Sequence, residues 1–254
     1  GGVVPEIACR AHLESIIGII NNALLDAKIS LDEIDAIAVV NRPGLIGALL
    51  IGVTAAKTLS MVQDIPLIAI DHPHAHIYAN NLGSDDIRYP TISLVVSGGH
   101  TILFLSESET RHIPLGWTID DAAGEAFDKV SKILGLGYPG GPVIDRLARQ
   151  GNQRAVTFPR AYLEKDSLDF SFSGLKTAVL YHYRGQDLKN TDTKTPSDQK
   201  IADIAASFQE AVVDVLVEKT FLASRMYHVR GVLTGGGVAA NSRLRQRFKD
   251  KSKE

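Results

Sequence analysis

Ile92-Ser93-Leu94-Val95-Val96-Ser97-Gly98-Gly99-His100-Thr101-Ile102-Leu103-Phe104-Leu105 is the most telling stretch of this chain for its architecture. Two apolar, β-rich runs meet at a Ser-Gly-Gly-His turn, the pattern of an antiparallel hairpin. Upstream, the apolar residues Leu13, Ile16, Ile17, Ile20, Leu24 and Leu25 recur at helical spacing within 7–28. Strand-like runs at 34–40 and 67–70 bracket a small-residue helix at 48–62, and Gly47, Gly52, Ala55 and Ala56 let that helix lie close to a sheet. Downstream, 119–151 reads as helix around a Gly-Pro interruption, 187–199 as a polar loop and 201–226 as helix, with Ile204, Phe208, Val212, Leu216 and Leu222 inward. A strand at 231–233 then enters Thr234-Gly235-Gly236-Gly237, with helix beyond it at 238–248. The alternation is α/β.

With 254 residues, 44% of them apolar, the chain can bury a large core as one domain or two lobes. A formal net charge of −2 gives no overall pull toward nucleic acid, so RNA contact would need a local basic patch or a partner. A basic end (Arg243, Arg245, Arg247, Lys249, Lys251, Lys253) and Arg146, Arg149 and Arg154 are the candidates, and solvated helix faces are the plainer reading of each. One cysteine, Cys9, excludes an internal disulfide and fits a reducing, cytoplasmic setting; it reads as structural. No apolar stretch reaches the roughly 18 uninterrupted residues of a spanning helix, and the start lacks a secretory signal. The opening on Gly1-Gly2 rather than methionine reads as part of a longer protein.

Chemistry-bearing residues gather in three places. The turns Ser97-Gly98-Gly99 and Gly235-Gly236-Gly237 lie at strand ends and can expose backbone N–H groups to phosphate. Neither has Walker or dinucleotide spacing. Asn241 follows the second turn on a helix start, where it could hydrogen-bond a base or ribose. Between the turns, Glu125 and Asp128 share a helix face, and Tyr138-Pro139-Gly140-Gly141-Pro142 leads to Asp145, which suits ribose hydroxyls. Phosphate loops plus carboxylates suggest nucleotide binding between two lobes. The third place is His72-Pro73-His74-Ala75-His76, behind a strand ending at Asp71. If Pro73 opens a helix, His72 and His76 stand four apart and can converge on one metal ion, with His74 pointing elsewhere. Two imidazoles leave a metal site incomplete, and surface or capping histidines are the plainer alternative.

The combination of 3–6 with Arg10-Ala11-His12, the run 43–49, Ser97-Gly98-Gly99-His100-Thr101, the run 120–129, Tyr138-Pro139-Gly140-Gly141-Pro142, Phe170-Ser171-Phe172-Ser173-Gly174-Leu175-Lys176-Thr177 and the run 235–241 closely resembles the TsaD/Gcp family along nearly the whole chain. The resemblance implies an actin-like ATPase fold of two lobes with mixed sheets flanked by helices. The first lobe would span 1–88, and the second 89–254 with a helical insertion at about 112–200. It also implies a tRNA N6-adenosine threonylcarbamoyltransferase, moving the threonylcarbamoyl group from threonylcarbamoyl-adenylate to the adenosine beside the anticodon in tRNAs that read codons starting with A. By the family pattern, His72 and His76 hold one iron or zinc ion. Val95, Val96, Ser97, Gly98, Gly99, Asp128, Gly141, Asp145 and Asn241 match substrate and nucleotide positions, for an ATP- or AMP-type nucleotide or the adenylate itself. No covalent nucleophile is implied. Partners implied are tRNA, a dimeric paralogue of similar fold and a small ATPase, with no membrane.

The family's opening strand and phosphate loop, and its third metal ligand, an Asp, would lie outside residues 1–254. Arg42 stands where the family usually has Gly, and His74 where an acidic or small residue is frequent. Two alternatives belong to other classes. A nucleotide-binding scaffold without catalysis is one, since fold does not fix function. A metallo-endopeptidase of glycoproteins is the other, and the segment opposes it: a zincin helix needs His-Glu-x-x-His, whereas Pro73, His74 and Ala75 separate these histidines.

Overall fold

A computed structural model describes residues 4–83, 86–164, 166–185 and 197–253. Val3 of the resembling motifs, part of the polar stretch at 83–88 and most of the loop expected at 187–199 lie outside these residues. Compact packing divides the chain into two units, 1–75 and 76–254.

The first unit holds α1 (Pro5–Ala27), β1 (Ile37–Arg42), α2 (Ile46–Gln63), β2 (Leu67–Asp71) and the start of α3 (His72–Tyr78). β1 and β2 pair in parallel, with a register shift between Val40 and Arg42. The helical connection between them is what a parallel pair requires. Gly52 faces β1, where an added Cβ would lie 3.8 Å from Val39, and Gly47 would meet the Cys9 sulfur of α1 at 3.2 Å. Cys9 is therefore a packing residue between two helices. The apolar pattern of α1 resolves into two stripes. Cys9, Ile16, Ile20 and Leu24 are partly covered, whereas Leu13, Ile17 and Leu25, expected inward, are exposed. Periodicity locates apolar positions but not which of two apolar faces packs against α2. Among the described residues α2 alone has the length and apolar composition of a membrane span. Its placement against β1 and α1 is that of a small-residue helix on a sheet.

The second unit carries a four-stranded sheet in the order β5-β4-β3-β6 (β3 Thr91–Val96, β4 Thr101–Ser106, β5 His112–Trp117, β6 Gly231–Gly235). β3 and β4 form the expected hairpin, β4 and β5 are antiparallel, and β3 and β6 are parallel. Every residue of β3 is buried, as befits a central strand covered on both faces. Residues 112–117, placed by the sequence at the start of a helical insertion, are thus an edge strand of this sheet. The helices follow: α4 (Ala123–Ile133), α5 (Gly140–Ala148), α6 (Ser173–Arg184), α7 (Asp198–Met226) and α8 (Ser242–Lys251). α7 packs on β3 and is itself surrounded by α5, α6 and α8, so it is buried along most of its length and not on one stripe. One contiguous core joins Leu94, Phe127, Ile144, Phe170, Phe208 and Leu216. The unit boundary falls within α3, ahead of the polar stretch at 83–88 where the sequence placed it. The reason is packing: Gly235 of β6 runs so close to the His76 backbone that a Cβ there would collide with it, which ties the end of α3 to the sheet.

Candidate nucleotide cleft and histidine helix

The segments 120–129 and 170–177 come together through Asp120. Its carboxylate accepts from the Ser171 and Ser173 hydroxyls and from the Phe172 N–H at 2.8 Å. Burial alone would raise its pKa, but these donors outweigh burial and hold it below the ordinary aspartate value. Asp121, likewise lowered against the effect of burial, receives Lys129 at 2.6 Å and Lys176 at 3.1 Å. Gly124 then starts α4 directly against the hairpin turn, where a Cβ would overlap the Ser97 carbonyl and Gly98. The result places the turn, α4 and α5 around one opening.

That opening is a cleft of about 550 Å³ whose lining residues all belong to the second unit. Gly98, Asp128, Gly141, Asp145 and Asn241 line it, together with Phe127, Tyr138, Arg146, Arg149 and Gly237. Val95 and Val96 do not: both are fully buried strand residues. Ser97 steadies the turn, its hydroxyl accepting from the His100 N–H at 3.1 Å, and neither it nor Gly99 lines the cleft. Glu125 turns outward and pairs with Lys129 at 2.8 Å.

The carboxylates that line the cleft also hold its walls. Asp128 accepts from the Gly140 N–H at 2.7 Å, fixing the start of α5 on α4. Asp145 accepts from the Ser242 N–H and hydroxyl, fixing α5 to α8. Asn241 caps α8 by accepting from the Leu244 N–H at 2.9 Å. Four glycines behave differently from Gly124. At Gly98, Gly99, Gly141 and Gly237 a Cβ would meet nothing within 4 Å, and none has a left-handed φ. Neither packing nor backbone conformation requires glycine there. Three of them, Gly98, Gly141 and Gly237, line the cleft and leave main chain bare toward it.

α3 begins at His72 with Pro73 next, as the sequence anticipated, and places His72 and His76 four apart on one helix. Asp71 accepts from the His74 N–H at 3.3 Å and from Arg42 Nε at 3.1 Å, so Arg42 steadies the helix start. Among the described residues, no group of three or more His, Cys, Asp or Glu side chains gathers for a metal. The two imidazoles have the chemistry for iron or zinc and fall short of a full ligand set.

Two residues of the basic end, Arg243 and Arg247, are spent on internal carboxylates. Arg243 reaches Glu210 at 2.6 Å, and Arg247 reaches Glu210 at 2.6 Å and Asp214 at 2.8 Å. Burial pushes Glu210 upward, but the two guanidiniums prevail and keep its pKa below the ordinary value. Arg149 approaches Asp145 at 3.3 Å and Arg146 is a cleft residue. Sequence reasoning missed this pairing of the basic end, because partners 33 to 37 positions away leave no local pattern.

The sequence pattern of TsaD, described as tRNA N6-adenosine threonylcarbamoyltransferase, matches residues 1–254. The chain belongs to this family. Relatives of that name come from Moorella thermoacetica (52% identity, 98% of this chain, 71% of the relative), Geobacillus thermodenitrificans (52%, 100% and 72%) and Kosmotoga olearia (50%, 100% and 74%). In three dimensions the chain is similar to full-length HypF in its phosphate- and nucleotide-bound form (TM-score 0.62, 14% identity, 93% of this chain, 44% of that one). It is also similar to the (R)-2-hydroxyglutaryl-CoA dehydratase component A of Acidaminococcus fermentans (TM-score 0.52, 17%, 91% and 72%). These likenesses show the actin-like ATPase fold. The enzyme of this family is a transferase acting on tRNA adenosine, which leaves the peptidase and scaffold alternatives without support.

Proposed function

We propose that the cleft of the second unit binds the adenylate moiety of threonylcarbamoyl-adenylate, or an ATP- or AMP-type nucleotide, for transfer to the adenosine beside the anticodon in tRNAs reading A-starting codons. The observation that carries this reading is the set of glycines at Gly98, Gly141 and Gly237, which the fold does not need and a closely approaching ligand does. Phosphate is suited to bare main-chain N–H groups, and a ribose to the Asp145 and Asn241 side chains. The carbamoyl carbon of the adenylate is already activated as a mixed anhydride. The adenine N6 amine forms the new C–N bond, the C–O bond to the adenylate phosphate breaks, and one proton is released. No protein nucleophile is needed. The chain's own part is to hold the leaving group and its charge in a fixed frame.

His72 and His76 would hold the iron or zinc as two of its ligands. A bound metal supplies Lewis acidity and a template for the threonylcarbamoyl oxygens. A dimeric paralogue of similar fold is supported by exposed apolar residues on α1 and α2, among them Leu13, Ile17, Ile46 and Leu50. A small ATPase partner and a cytoplasmic setting complete the proposal.

The experiment is nucleoside mass spectrometry on tRNA from cells depleted of the full-length protein and rescued with wild type or with His72→Ala/His76→Ala. Threonylcarbamoyladenosine restored by wild type alone supports transfer and the metal pair; restoration by the variant removes the metal proposal.

A further inference from the structure

Asn241 lines the cleft, and Gln209 on α7 stands behind it without reaching the opening. Both are more than nine-tenths buried, at 8% and 4% exposure. Asn241 Nδ2 donates to Gln209 Oε1 at 2.7 Å, while Asn241 Oδ1 accepts from the Leu244 N–H at 2.9 Å. The carboxamide is therefore tied at both ends. Turning it over would set its oxygen against the Gln209 oxygen and its NH₂ against the Leu244 N–H, leaving two buried polar contacts repulsive. Only one orientation satisfies both neighbours.

Gln209 is flanked by buried Phe208 and the ion-paired Glu210, and its neighbours one helical turn away, Ala205, Ala206, Val212 and Val213, are buried and apolar. A buried amide in such a place is costly unless it is hydrogen-bonded, and the group it accepts from is a cleft residue. We infer that Gln209 is a positioning residue: by holding the Asn241 amide, it makes the cleft present an N–H donor. Asn241 Oδ1 already serves the helix cap and one Nδ2 hydrogen serves Gln209, so the second Nδ2 hydrogen is the group offered to a ligand. It selects an acceptor, such as a ribose oxygen or an unprotonated purine nitrogen. This rests on the reading of the cleft as a nucleotide site.

Gln209→Met removes the acceptor at nearly the same volume. Gln209→Glu keeps an oxygen acceptor, and Gln209 borders a second, polar pocket in which Arg149 and Arg243 offset the neighbouring Glu210 carboxylate. The test is calorimetric titration of the full-length protein with ADP, using both variants, Asn241→Ala and the double variant Gln209→Met/Asn241→Ala. Expected are losses of about tenfold for Asn241→Ala and for Gln209→Met, as for one buried hydrogen bond, and no further loss when the two are combined. Gln209→Glu should stay within about threefold of wild type. A general loosening of α7 would weaken binding equally whether Asn241 is intact or already replaced by alanine, so an additive double variant overturns the inference. So does unchanged binding by Gln209→Met while Asn241→Ala is weak, which leaves the cleft reading intact. Wild-type binding by Asn241→Ala removes the cleft reading itself. If Gln209→Met does not fold, Gln209→Glu decides: retained affinity supports the role, and a tenfold loss overturns it.

Discussion

The Asp145 carboxylate accepts hydrogen bonds from both the N–H and the hydroxyl of Ser242, at 3.2 and 2.7 Å across 97 positions of sequence. One side chain thus joins the start of α8 to α5 while facing the cleft. Ser242→Ala removes the hydroxyl bond and leaves the main-chain one. We expect a loss of about 1 kcal/mol in urea unfolding. An unchanged midpoint would show that the hydroxyl contributes nothing to the junction.

Gly141→Ala separates folding from binding. The added methyl meets no protein atom within 4 Å and sits in α5, where alanine is the better helix former. Stability should hold or rise by up to about 1 kcal/mol, while ADP affinity falls at least about tenfold because the methyl enters the ligand's space. Titration and thermal unfolding on the same sample check both halves; undiminished affinity would mean that no ligand approaches this backbone.

Glu210 predicts an acid-sensitive junction between α7 and α8. Its folded pKa lies below the ordinary 4.5, so the folded state binds fewer protons than the unfolded chain. The stabilisation is fully present above the ordinary glutamate value and is lost as pH falls through the lowered folded one. Glu210→Gln should be less stable than wild type at pH 7, with the gap narrowing toward acid. Denaturant unfolding across that range measures it, and a gap independent of pH would contradict the assignment.

On α3, His72→Ala/His76→Ala in the full-length protein should abolish stoichiometric iron or zinc by elemental mass spectrometry. ADP binding in the second-unit cleft should stay within about twofold, since none of its lining residues changes. Retained metal would place the ligands elsewhere.

The exposed stripe of α1 gives a surface test. Ile17 is 64% exposed, so Ile17→Lys should change folding free energy by no more than about 0.5 kcal/mol. Co-elution with the proposed dimeric paralogue should nevertheless be lost. A variant that still co-elutes would move that interface off this helix.

Much of the molecule was legible in the sequence. The hairpin around Ser97-Gly98-Gly99-His100, the helix opening at Pro73 and the long α7 follow from turn chemistry and apolar period, which act over a few residues. The ordered motifs also carried the family and its reaction. What those motifs hold emerged only with the packed chain. Asp145 and Asn241 were expected to serve a ligand, and the packed chain shows them holding Ser242, Leu244 and Gln209. Val95 and Val96 lie in the core, Arg243 and Arg247 spend their charge on Glu210, and Leu13 and Ile17 face outward. Gln209 had no local signature. One cause underlies all of these: backbone preference and apolar period are local, whereas a hydrogen bond or ion pair between distant segments exists only after the chain has packed.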